Sequence, residues 1–264
     1  MIGLFDSGVG GLTVVRALRA ARPDLSYVYL GDTARTPYGG KSPETIRRYA
    51  EEAADFLLAQ GAKTIVIACN TASALAAEHL RARHPDLPIF EVVGPAVRAA
   101  VRASVKKRIG LIGTRATVAS GIYETRLKEL DPSIEVVARP APLLVSLVEE
   151  NWINQPETST IVAKYLAPIR QAEVDALILG CTHYPILKDR IKAAMGEEVA
   201  LIDSAEAVVK EFCATLEKDP TLAASLDTGG RAAYFVTDPA PSFEAVGSAW
   251  IGTPVIARTA HLTN

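Results

Sequence analysis

The chain of 264 residues is long enough for one large or two modest domains at roughly 150 residues each. It is 49% hydrophobic and 22% charged, too apolar for disorder, and its 28 Lys and Arg nearly balance 30 Asp and Glu. No global basic field points to nucleic acid or a membrane surface, and the longest apolar runs are strand-sized, far short of a membrane span.

The opening Met1-Ile2-Gly3-Leu4-Phe5-Asp6 reads as a strand and lacks the basic flank and long apolar region of a signal peptide, so a cytoplasmic location is expected. From there, short apolar runs bounded by Gly, Pro or Asp alternate with helical patterns, the βαβα order of an α/β fold. Strands are predicted at 2–6, 26–30, 63–69, 89–93, 108–113, 134–138, 175–180 and 199–202, with two more near 232–237 and 253–257. The first ends in Asp6-Ser7-Gly8-Val9-Gly10-Gly11-Leu12, a glycine turn opening a helix, where free N–H groups favour an anion. Gly8, Gly10 and Asp32 imitate a dinucleotide fingerprint, but Thr13 holds the third glycine position and Asp6 and Ser7 crowd the turn.

The loop Gly31 to Gly40 after the second strand is dense in hydrogen-bonding groups, and Tyr38-Gly39 offers a hydroxyl and an open N–H suited to a small carboxylate. An ordinary surface turn with Asp32 in a local hydrogen bond is the plainer alternative. A helix follows over 43–60, capped by Ser42, opened by Pro43 and stopped by Gly61. Pro140, Pro142 and Pro156 predict a short helix around 143–150, a break, and a second helix to about 172.

A long repeat underlies this order. Ile2 to Ser7 recurs as Ile109 to Thr114, and Thr64 to Thr71 as Ala176 to His183, at offsets of 107 and 112 residues. The pattern predicts two pseudo-symmetric halves, each a mainly parallel sheet flanked by helices, with the active site in the cleft between them. The final strand, helix and strand cannot form a domain alone and are expected to return to the first half. The expected division is 1–94 plus 208–264, and 95–207.

Three cysteines, at 69, 181 and 213, fit neither a disulfide framework nor paired zinc spacing, so reduced thiols are expected. Cys213 lies in the helical run Ala207 to Glu217 and reads as a small packed hydrophobe. Cys69 and Cys181 instead end the third strand of their halves, directly before a helix, where the dipole and N–H groups lower a thiol pKa from about 8.5 toward neutrality. Two thiols across a cleft suit removal of a proton from one face of a carbon and return of one to the other. A metal on Cys69, Cys181 and His183 lacks a fourth ligand. A Cys-His hydrolase with His183 as base and a dithiol redox protein remain open.

The glycine turn Asp6 to Leu12, Gly31-Asp32 with Pro37-Tyr38-Gly39, Ala68-Cys69-Asn70-Thr71-Ala72-Ser73 and Gly180-Cys181-Thr182-His183-Tyr184-Pro185 resemble, in the same order, motifs of the bacterial glutamate racemases, within the cofactor-independent aspartate/glutamate racemase superfamily. The resemblance spans essentially the whole chain. It implies interconversion of L- and D-glutamate without a cofactor or metal, the D-isomer serving peptidoglycan synthesis. It makes Cys69 and Cys181 the acid/base thiols, with Asp6 assisting Cys69, and with His183 and Glu150, in preference to Glu149, assisting Cys181. Asp6, Ser7, Tyr38, Gly39, Asn70, Thr71, Thr182 and His183 are the implied substrate-binding residues. A homodimer is expected, with no nucleic acid or membrane partner.

Overall fold

In the computed structural model, which describes residues 1–239 and 241–262, strands and helices alternate as the hydrophobic pattern predicts. The first half runs β1 (Ile2–Asp6), α1 (Leu12–Ala21), β2 (Tyr27–Gly31), α2 (Pro43–Ala59), β3 (Thr64–Ile67), α3 (Asn70–Arg83) and β4 (Ile89–Glu91). The second begins with α4 (Val93–Ala103), β5 (Arg108–Gly113), α5 (Arg115–Ala119), α6 (Ile122–Leu130) and β6 (Glu135–Pro140). It continues through α7 (Leu143–Glu149), α8 (Pro156–Gln171), β7 (Ala176–Gly180), α9 (Lys188–Met195) and β8 (Ala200–Asp203). The chain then passes through α10 (Ser204–Lys218), α11 (Pro220–Ser225), β9 (Ala232–Val236), α12 (Pro241–Ile251) and β10 (Ala257–Thr259).

Local signals set the boundaries. Ser42 Oγ accepts from the Thr45 N–H at 3.3 Å, Pro43 occupies the first turn of α2, and Gly61 takes the left-handed φ of +87° that ends it. The last strand forms later than the expected 253–257: Pro254 has no N–H for a ladder, the Val255 N–H is given to Ser248 Oγ at 2.9 Å, and pairing begins at Ala257.

All strands pair in parallel, in the orders β10-β9-β2-β1-β3-β4 and β6-β5-β7-β8. The run β2-β1-β3-β4 and the run β6-β5-β7-β8 are the same order, which is the structural content of the sequence repeat; β9 and β10 extend the first sheet. Helices cover both faces of each sheet, so β1, β2 and β7 are buried along their whole length and read as continuous apolar runs. One face of the first sheet packs Leu12, Val15 and Leu18 of α1 against Val208 and Phe212 of α10; the other packs Ile46, Leu57 and Leu80 of α2 and α3. The second sheet is covered by Leu144, Val162 and Leu166 on one face and by Val97, Ala100 and Leu127 on the other. Each of the larger aliphatic side chains contributes about 1.5–3 kcal/mol on burial. The helix after β4 thus packs on the second sheet and the helix after β8 on the first, which turns the carboxyl ends of both sheets toward each other.

Candidate active site

The facing strand ends enclose a cavity of about 290 Å³. The first half contributes Ser7 after β1, Thr36 to Gly40 from the loop after β2, and Cys69, Asn70 and Thr71 after β3. Thr114 and Arg115 after β5, one face of α7, and Cys181, Thr182 and His183 after β7 close it from the second half. A larger groove of about 960 Å³ beside α1 and α10 is wide open and carries Cys213 but neither strand-end thiol.

Cys69 caps α3, its sulfur accepting from the Ala72 N–H at 3.5 Å. The helix does not lower this thiol as expected. Burial pushes it up, the charge on Asp6 adds to that, and the N–H groups of Ala72 and Ser7 oppose without prevailing. Asp6 stands behind the cavity lining, fully buried, with Oδ2 accepting from the Gly8 N–H at 3.0 Å and Oδ1 from the Thr182 hydroxyl at 3.4 Å. Burial raises its carboxyl too, while the charge on His183 and the surrounding N–H groups pull it down.

Cys181 departs from the expected helix N-terminus. After β7 the chain makes a turn at Thr182 and His183 and a 3-10 helix at Tyr184–Leu187 before α9 begins. Its polar surroundings come from side chains instead: Nδ1 of His183 lies 3.7 Å from the sulfur, and Nε2 of the same ring is 2.9 Å from Oε1 of Glu149. Burial works against the imidazolium, but the Cys181 and Glu149 contacts overrule it and hold His183 up to about 10. Trp250 of α12 meets the ring edge-on, with centroids 6.4 Å apart.

The glutamate that reaches His183 is therefore Glu149, and the expected Glu150 is displaced. Pro142, Val145, Ser146 and Glu149 share one face of α7 at spacings of three and four residues, and all line the cavity; Glu150, one residue on, turns outward as the helix ends. Tyr38 also differs from expectation. It lines the cavity and is buried, but its hydroxyl donates to Asp32, so it is not free to donate to a carboxylate. Asp32 also accepts from Arg35 Nε at 2.7 Å and the Thr237 hydroxyl at 2.8 Å, and so anchors the loop that carries Tyr38 and Gly39.

Two glycines allow the halves to meet. A Cβ on Gly10 would lie 2.3 Å from the Thr182 hydroxyl oxygen and 2.6 Å from the His183 ring, and one on Gly39 would lie 2.7 Å from Thr114 Cβ. The glycine turn thus serves close approach between halves, and the space a dinucleotide phosphate would need is filled by Thr182 and His183. Asn70, 2% exposed, donates from Nδ2 to the hydroxyls of Tyr123 at 2.8 Å and Ser204 at 3.3 Å. Its Oδ1 finds no hydrogen-bond partner among the described residues. The Thr71 hydroxyl joins Thr114 at 2.9 Å and Thr117 at 3.2 Å across the cleft.

Sequence reasoning missed Thr114, Arg115 and Ser146. The repeat held the signal for the first, since Thr114 is the counterpart of Ser7; Arg115 and Ser146 have no such counterpart.

Residues 12–212 match the family described as Asp/Glu/hydantoin racemase. A glutamate racemase from Geobacter metallireducens is 43% identical over 251 residues, covering 95% of this chain and 92% of that one. Among solved structures, the glutamate racemase isoform RacE1 from Bacillus anthracis superposes with a TM-score of 0.93 at 35% identity, covering 99% of this chain and 97% of the other. The glutamate racemase from Francisella tularensis in complex with D-glutamate superposes with a TM-score of 0.90 at 34% identity, with coverage of 99% and 97%.

Proposed function

The chain belongs to the Asp/Glu/hydantoin racemase family and stands among its glutamate racemases, and from that premise we propose that it interconverts L- and D-glutamate by a two-thiol acid/base mechanism. No cofactor enters the proposal, and the D-glutamate serves peptidoglycan synthesis. The observation that carries the mechanism is that Cys69 and Cys181, from equivalent ends of β3 and β7, open onto one cavity.

Racemisation needs a base on one face of the α-carbon and an acid on the other. In the L-to-D direction Cys181, as thiolate, takes the α-proton and becomes a thiol. The electron pair left on the α-carbon spreads into the adjacent carboxylate, and Cys69, which burial keeps protonated, delivers its proton to the opposite face. That turnover leaves Cys69 as the thiolate and Cys181 as the thiol, the form D-glutamate requires. Protonated His183 places a positive charge against the Cys181 sulfur while it is negative, with Glu149 orienting the ring. Asp6 plays a different part beside Cys69: its negative charge works against the thiolate, and it is a buried carboxyl able to exchange a proton.

The hydroxyls of Ser7 and Thr71 and the Gly39 N–H supply donors for the carboxylates at the cavity wall, where they stabilise developing charge. The unpartnered Asn70 Oδ1 is an acceptor suited to the substrate ammonium. The D-glutamate held by the Francisella tularensis relative supports glutamate over aspartate. A homodimer and a cytoplasmic location complete the proposal; among the described residues no helix is long and apolar enough to cross a membrane.

The test is incubation of L-glutamate with purified protein in deuterated water, without added pyridoxal phosphate or metal. D-glutamate carrying deuterium at the α-carbon is expected. Glutamate binding without α-hydrogen exchange, or a higher kcat/KM for aspartate in a panel of both enantiomers of glutamate, aspartate and glutamine, would overturn the reading.

A further inference from the structure

The turn that carries Cys181 and His183 lacks one local hydrogen-bond donor. The Tyr184 N–H donates to the Cys181 carbonyl at 3.1 Å, and the Ile186 N–H donates to the His183 carbonyl at 3.2 Å. The N–H between them, which would serve the Thr182 carbonyl, does not exist, because residue 185 is proline. Thr182 is buried, and a buried carbonyl without a donor costs about 1–3 kcal/mol.

The donor comes from the other half of the molecule. Thr13, in the first turn of α1 and 2% exposed, places its hydroxyl oxygen 3.1 Å from the Thr182 carbonyl and 2.8 Å from the Gly10 carbonyl. The Gly10 carbonyl already accepts the Thr13 N–H at 3.0 Å, so the hydroxyl proton can be shared with Thr182. Gly10 makes the approach possible, since any Cβ there would strike Thr182 and His183.

We propose that Thr13 is a positioning residue for the Cys181 half of the reaction: its hydroxyl clasps the Thr182 carbonyl and fixes the Cys181–His183 turn against the glycine turn of the first half. The proposal rests on the two-thiol reading above. Cys69 is held by β3 and α3 within its own half and meets the clasped turn through Asp6, which accepts from the Thr182 hydroxyl at 3.4 Å. Loss of the hydroxyl therefore acts first and most strongly on Cys181, two residues from His183 on the clasped turn.

Thr13→Val removes the donor at nearly constant volume, and Thr13→Ser keeps it. Both are assayed for glutamate racemisation and for elimination from each enantiomer of 3-chloroglutamate. In that elimination the α-proton passes to a thiolate, a double bond forms between Cα and Cβ, and chloride leaves with the C–Cl electron pair, so only one thiol is needed. The enantiomer that Cys69→Ser still processes reports Cys181 alone. Thr13→Val is expected to lower racemisation and elimination from that enantiomer by about tenfold, with elimination from the other enantiomer within about twofold of wild type. Thr13→Ser should restore both. Equal losses on the two enantiomers, no loss at all, or failure of serine to rescue would overturn the clasp; should Thr13→Val not fold, Thr13→Ala is read the same way. Wild-type protein that racemises no glutamate and eliminates neither enantiomer would instead overturn the two-thiol reading.

Discussion

The two thiol ends of the cavity occupy equivalent places in equivalent sheets and are built differently. Cys69 follows β3 into a 14-residue helix, and the carboxylate that acts on it, Asp6, comes from the end of the adjacent strand β1. At the corresponding end of β5 stands Gly113, which has no side chain to offer. The Cys181 end therefore recruits its carboxylate from α7 and relays it through His183, while Pro185 keeps the following turn from becoming an α-helix. Repetition of a strand order fixes where two groups stand; it does not give them the same electrostatic surroundings. The expected helix N-terminus thus stands behind Cys69 alone, where burial beside Asp6 outweighs it, and is absent at Cys181.

The harshest way to break the comparison is to remove each thiol in turn. Cys69→Ser and Cys181→Ser should each lower racemisation by about 10³-fold or more, because a serine hydroxyl is a far weaker acid than a thiol and general acid/base steps are worth about 10²–10⁴-fold. Each should still eliminate chloride from one enantiomer of 3-chloroglutamate, Cys181→Ser from the D-form and Cys69→Ser from the L-form. The same preference in both variants would remove the opposed-face assignment.

A smaller effect separates the two polar relays. Glu149→Gln should lower kcat by about ten- to a hundredfold, the worth of one hydrogen bond to a charged group, whereas Glu150→Gln should leave kcat within about twofold. His183 titrates at about 10 in the folded protein against an ordinary 6.5. Its protonated ring thus adds stability that is complete below about 6.5 and is lost as pH rises through about 10. Thermal melts of wild type should show stability falling across that window, and Glu149→Gln should flatten the fall. An NMR titration of the His183 ring should place the variant's pKa below the wild-type value, and an unchanged value would exclude Glu149 as the partner.

Tyr38→Phe tests the loop on the Cys69 side. With its hydroxyl given to Asp32, the change should cost about 1–2 kcal/mol of stability in chemical denaturation and keep the KM for glutamate within about threefold. A tenfold rise in KM would return the hydroxyl to the substrate. Cys213→Ser should change the rate least of all, since that half-buried thiol faces the groove beside α1 and α10 rather than the cavity between the sheets.

Much of this molecule is legible in its sequence because parallel strands covered on both faces must be written as apolar runs, and their ends must be marked by turn formers. The repeat of Ile2 to Ser7 and Thr64 to Thr71 in the second half was enough to pair Cys69 with Cys181 and to place Asn70, Thr71 and Thr182 beside them. These readings depend on residue type and on position along a strand, which the order of the chain contains.

Tertiary structure decided the rest. Glu149 and Glu150 are adjacent and chemically identical in sequence, and only the rotational phase of α7 against the second sheet turns the first toward His183. The Tyr38 hydroxyl had two candidate partners, substrate or protein, and the folding of its loop onto buried Asp32 chose the latter. The thiol at Cys69 carries a helix-capping signal in its sequence, yet burial and the charge on Asp6 outweigh it. Sequence determined which chemical groups sit at which strand ends, because that is local; packing determined which of them touch and what charge they carry, because distance and desolvation act between segments the chain holds far apart.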